Sequence, residues 1–134
     1  MNPAGDPARD AARAIGFTIL AAGVAVWWAL ILHVPASRPW FFAGGVVDHS
    51  MRAFVMPDLL VLAAAAALSA WLILTGRPGA VAASWFTAGA TCYATVYTIS
   101  WALHEDVPLA SPLLMAAAAV LSLLCARRPV SRSR

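Results

Sequence analysis

Lysine is absent from this chain of 134 residues, and charged residues of any kind make up only 11% of it. So sparse a charge excludes an ordinary soluble composition, in which about a quarter of the residues are charged. Cysteine is nearly as scarce. Cys92 and Cys125 stand alone without a CxxC pair, and they fall at helix depths more than ~10 Å apart, too far for a disulfide, so both are expected to be small packing residues. Missing too are HxxxH and HExxH spacings, a glycine-rich phosphate loop and a convincing Ser, His and acid series, which leaves little for catalysis.

What the chain does have is apolar length. Hydrophobic residues make up 62% of it, arranged as long uncharged runs between short segments that hold most of the ionisable groups. This arrangement predicts an all-α fold: a single transmembrane domain, an up-down-up-down four-helix bundle with helices at about 14–34, 57–75, 80–103 and 109–126. An outer loop is expected over 35–56 and a patternless, disordered tail over 127–134.

Local signals support these bounds. Asp6, Arg9, Asp10 and Arg13 precede the first run, and Trp27, Trp28 and His33 crowd its far end, where amphipathic rings suit a membrane interface. Its length and the two acids before it argue against a cleaved signal peptide. Pro57 and Asp58 suit the first turn of the second helix, a carboxylate there facing the positive end of the helix dipole. Gly76, Arg77, Pro78 and Gly79 form a turn that makes the second and third helices an antiparallel hairpin. Pro112 falls in the first turn of the last helix, where it costs little.

Arginine sets the orientation. Arg9, Arg13, Arg77, Arg127, Arg128, Arg132 and Arg134 would share one side and only Arg38 and Arg52 the other, which places both termini in the cytoplasm. Each basic group lies beside an apolar run, so anionic lipid headgroups are the expected partner and nucleic acid is not. The bias to Ala and Arg without Lys points to a GC-rich bacterial genome, hence to the bacterial inner membrane. Gly16, Gly23, Gly89 and the alanine runs 63–67 and 116–119 would allow helices to approach closely.

The third helix is the most patterned. Ser84, Thr87, Thr91, Thr95 and Thr98 recur on one stripe, and Phe86, Tyr93, Tyr97 and Trp101 on another face. The hydroxyls are expected to bond back to the preceding turn and to form a helix contact surface, with a hydrophilic groove as the alternative. Tyr93 and Tyr97 are expected to face the bundle, since a phenol in hydrocarbon leaves its O–H unpaired. Tyr97 or Ser100 would then reach Asp58. A carboxylate at a membrane boundary is costly unless paired, hydrated or used, so Asp58 is the leading functional candidate.

Tyr93, Tyr97, Trp101, Trp40, His33 and His104 complete the set of ligand-binding candidates. Trp40, Phe41 and Phe42 in succession would rest in the interface or fold back over the bundle mouth. His33, His49, His104 and Glu105, with Asp48 and Asp106, are the types that ligate a metal, though their spacing is not diagnostic. No cofactor is assigned.

The chain resembles the small multidrug resistance transporters only in size and helix number. They carry an acid in the first helix, and none lies between Arg13 and His33 here. The paired cysteines of the vitamin K epoxide reductase type are also missing. The preferred reading is a non-catalytic binding or accessory subunit for a lipophilic ligand or a membrane complex, with a homo-oligomer open. The alternatives are a metal-dependent protein or membrane enzyme using His33, His49, His104 and Asp58, and a small dimeric transporter with a hydrated path along the threonine stripe.

Overall fold

The computed structural model describes residues 6–42, 49–104 and 108–127. The protein is all-helical, and among the described residues there is no strand. Helix α1 spans Pro7–His33. It begins earlier than expected because Asp6 caps it, accepting from the Ala8 N–H at 3.1 Å, while Pro7 supplies a first residue that has no N–H to leave unpaired. Arg9, Asp10 and Arg13 are thus part of the helix rather than a flank before it. At its far end Pro35 follows, and the exposed carbonyls are taken by side chains. Ser37 donates to Val34 at 2.8 Å and Arg38 Nε to Ile31 at 2.9 Å. A short 3-10 helix, Pro35–Trp40, comes next.

The second rod differs most from expectation. Helix α2 spans His49–Pro57, a π-helical turn spans Asp58–Ala63, and α3 spans Ala64–Leu74. Its helix therefore starts at His49 and not at Pro57, and the described part of the expected loop is largely helical. Pro57 sits inside the rod with helical backbone angles (φ −56°, ψ −43°). Its ring cannot continue the α ladder, and the backbone re-registers into the π turn immediately after it. Asp58 consequently lies well inside a helix, which removes the expected dipole role at a first turn. Residues 43–48, including Asp48, lie outside the described residues.

Gly76 (φ 60°) and Gly79 (φ 95°) make the hairpin turn in the left-handed region that a side chain resists. The Arg77 N–H returns to the Leu72 carbonyl at 3.0 Å, closing α3. Helices α4, Ala80–His104, and α5, Ala110–Ala126, follow within a residue of their expected bounds. Residues 105–107 and 128–134 lie outside the described residues, and with them the expectation of a disordered tail.

Helix α1 packs against α3 and α5, and α4 packs against the same two, so the rods close into a ring. Arg13, near the start of α1, donates from Nε to the Cys125 carbonyl at the end of α5 at 2.7 Å, which shows these two helices antiparallel. Beside that contact Gly16 lies so close to α5 that a Cβ there would run into Cys125 Sγ. Gly23 and Gly89 face open space and bring no helices together, contrary to expectation. Ala14, Phe17, Leu20, Ala66, Ala70, Ile73 and Cys125 form the core at this end.

Hydroxyl side chains share the interior with the apolar core, and many large apolar side chains lie on the outside. Ser69, Ser84, Thr87, Thr91 and Ser122 are fully buried, while Ile15, Ile19, Leu60, Leu68, Val96, Leu113 and Val120 point outward. Two helical stretches, Pro7–His33 and Arg52–Leu74, are long and apolar enough to cross a membrane. The hydroxyls of α4 lower its hydropathy, and α5, at 17 residues, is apolar but shorter.

Candidate functional site

The end of the molecule opposite the Gly76–Gly79 turn concentrates the aromatic residues. Trp28 (3% exposed), Ile31 and Phe42 form a buried cluster, with Trp27, Phe41, Val55, Leu59 and Trp101 packed around them. Trp27 meets Phe41 edge-on at 6.0 Å between ring centres, and Phe42 meets Trp101 at 5.9 Å. Contacts of this kind add about 0.5–1.5 kcal/mol each beyond area burial. The chain after α1 is tied down over this end, for Ser111 of α5 donates to the Phe41 carbonyl at 3.2 Å. The aromatic triplet is therefore divided. Phe42 is buried, Phe41 is half-buried and Trp40 is 72% exposed.

Among the described residues one hydrogen bond joins Asp58 to this cluster. Trp28 Nε1 donates to Asp58 Oδ2 at 2.9 Å. The π turn explains how this happens. In an uninterrupted α-helix Asp58 would lie about 80° around the rod from Ala66, eight residues later. Yet both face α1, Asp58 through Trp28 and Ala66 through the core cluster. A π turn winds less per residue, so it brings the two onto one face.

The expected partner of Asp58 was Tyr97 or Ser100, and this is corrected. Tyr93 is 76% exposed and Tyr97 also lies on the outside, its ring against Phe54 at 4.9 Å. The threonine stripe fills the interior of the ring, which turns the aromatic face of α4 outward. Trp101 alone of that face packs into the cluster. The donor that Asp58 uses is one of the two tryptophans expected at the interface, and nothing in the sequence distinguishes Trp28 from Trp27 in that role. The available signal was depth, since an acid in a charge-free run needs a donor at its own level on a neighbouring helix. One further donor, Trp27 Nε1, lies buried here without a partner among the described residues.

The stripe on α4 behaves as a contact surface. Ser84, Thr87, Thr91, Thr95 and Thr98 each donate to the carbonyl four residues back at 2.7–2.9 Å. Two also reach across helices: the Thr87 and Ser69 hydroxyls lie 3.0 Å apart, and Thr95 shares its single proton between the Thr91 carbonyl and the Met115 carbonyl of α5 at 2.9 Å. Ser69 is a lone hydroxyl in an alanine-rich run, and no periodicity along α3 marks it as this partner.

His33 and His104 close α1 and α4 and are both exposed, with His104 Nδ1 2.7 Å from the Ser100 carbonyl. His49 opens α2, but its side chain, like Asp48, Glu105 and Asp106, lies outside the described residues. Among the described residues no three His, Cys, Asp or Glu side chains converge on a metal position. Cys92 and Cys125 are both free thiols, the second buried. No family model matches the chain, and neither a search of curated proteins nor one of solved structures returns a significant match.

Proposed function

We propose that the protein is a bacterial inner-membrane four-helix bundle with both termini cytoplasmic, acting as a non-catalytic binding or accessory unit for a lipophilic ligand or a larger membrane complex. One observation carries this reading. Leu, Ile, Val, Phe, Trp and Tyr side chains are exposed along the outside of the rods, while Ser69, Ser84, Thr87, Thr91, Thr95 and Ser122 are buried and hydrogen-bonded. In water such a surface is a large uncovered apolar area. In lipid it is the solvated side, and the inward hydroxyls hold together helices that hydrocarbon gives no reason to associate.

The binding end on this reading is the aromatic one. The Trp28 and Asp58 pair is held there, Trp27 Nε1 has no partner among the described residues, and Trp40 extends outward. A few fixed polar groups in an apolar surround are how a site orients a greasy molecule. Phosphatase and fluorescent reporters fused after Arg77, after Arg134 and within 43–48 test the topology. Cytoplasmic signals from the first two and an external signal from the third are expected, and a phosphatase-active Arg134 fusion overturns the proposal. Mass spectrometry of molecules co-purifying with the wild type and with Asp58→Asn tests the binding role. A lipophilic species or partner should be depleted in the variant, and identical complements in both remove Asp58 from it.

A further inference from the structure

An apolar groove of about 490 Å³ opens on the outside of the α3 and α4 pair, walled by Leu60, Leu68 and Phe86 and floored by Ala64, Ala82 and Ala83. Its shape follows from residue size, because alanines at adjoining positions of two helices leave a channel between larger neighbours. A charged group lies beyond its upper end, outside the lining residues. Trp71 lies seven residues after Ala64, about two turns on and within ~20° of the same face. The Arg77 guanidinium is stacked over the Trp71 ring, 4.7 Å from its centre. A stacked guanidinium is held in place while its N–H groups stay free to bind an oxyanion.

From Leu74 down to Leu60 the rod descends about 20 Å, more than the ~15 Å that one leaflet of hydrocarbon occupies. The hairpin turn also shares its end of the molecule with the start of α1 and the end of α5, which bring Arg9, Arg13 and Arg127 to the same level. Cation, aromatic ring and apolar channel thus follow one another in the order of a phospholipid's phosphate, glycerol and acyl chain.

We infer that this groove is a binding site for one anionic glycerophospholipid, its phosphate on Arg77, its glycerol region against Trp71 and one acyl chain along the floor of Ala64 and Ala83. The inference rests on the membrane reading above and names a ligand at a site separate from the Trp28 and Asp58 end.

The test is native mass spectrometry of the full chain in detergent, offered equal amounts of dioleoyl phosphatidylglycerol and dioleoyl phosphatidylcholine. The wild type retains one phosphatidylglycerol in preference by about fivefold, as one added basic contact at a lipid surface provides. Arg77→Gln brings the two lipids to parity, whereas Arg127→Gln, at the same level on another helix, keeps the preference. Ala64→Phe fills the channel and removes bound lipid of both kinds. Ala83→Phe on the facing helix does the same and replaces it should the first variant melt below the wild type.

Equal retention by the wild type, a preference that survives Arg77→Gln, or full binding in both groove-filled variants overturns the site. So does a dimer that must dissociate before lipid binds, which would assign the groove to a second copy. If reporter fusions give the expected topology while lipid selectivity is absent, the groove assignment alone falls.

Discussion

At the scale of single residues the decisive contact is Trp28 to Asp58. Asp58 carries a carboxylate within a long apolar rod, and the indole N–H is its hydrogen-bond partner. Removing one partner of such a pair leaves the other unsatisfied and costs about 1–3 kcal/mol. Trp28→Phe, which keeps most of the ring volume, is therefore expected to lower the thermal stability of the detergent-solubilised protein clearly. Asp58→Asn should cost less, since an amide oxygen still accepts the bond. The loss in the double variant should fall short of the sum of the single losses, and strict additivity in a melting series would show the two groups uncoupled.

Gly16 is the second such residue. Its missing side chain lets α1 reach α5, and a Cβ would meet Cys125 Sγ. Gly16→Ala should destabilise by about 1–3 kcal/mol through overpacking, and Cys125→Ala in the same chain should restore most of it. A Gly16→Ala protein as stable as the wild type would contradict the packing described.

At the scale of elements, α4 joins the ring by hydroxyls that are bonded and covered. A hydrated path along the stripe requires the opposite, so the geometry yields a direct expectation. Thr91→Cys and Thr95→Cys, placed in a Cys92→Ala and Cys125→Ala background, should resist water-soluble maleimide in the intact membrane. Rapid labelling would restore the transporter alternative. Thr95→Val should cost about 0.6 kcal/mol, the usual scale of an interhelical bond in lipid, through loss of its bond to Met115.

The stripe was legible because a period of about 100° per residue places those five positions together whatever surrounds the helix. The rod from His49 to Leu74 was legible only in part. Pro57 reads as a starter in sequence, since a helix has fewest objections to proline in its first turn. The structure instead continues the helix through it by way of a π turn. Pro57 marks where the ladder is interrupted, but that the turn brings both Asp58 and Ala66 to face α1 is a tertiary outcome.

At the scale of the whole molecule, the surface decides the solvent. Ile19 lies at the middle of α1 and is 59% exposed. An Ile19→Asp substitution on a water-facing surface changes stability by about 0.5 kcal/mol or less. At the centre of a lipid-facing helix it opposes insertion by about 2.5–3.5 kcal/mol. A microsomal insertion assay of α1 should therefore show the variant largely excluded, and unchanged insertion would remove lipid from that face.

The sequence alone settled that the chain is helical and approximately where α1, α4 and α5 end, because hydropathy, proline and glycine act over a few residues and need no partner. Arrangement was another matter. Which side of α4 meets its neighbours, that Tyr93 and Tyr97 turn outward, and that Trp28 supplies the donor for Asp58 were decided only when the rods closed into a ring. Burial and hydrogen bonding there depend on what the other helices present at the same depth, and a periodicity read along one helix carries no record of that.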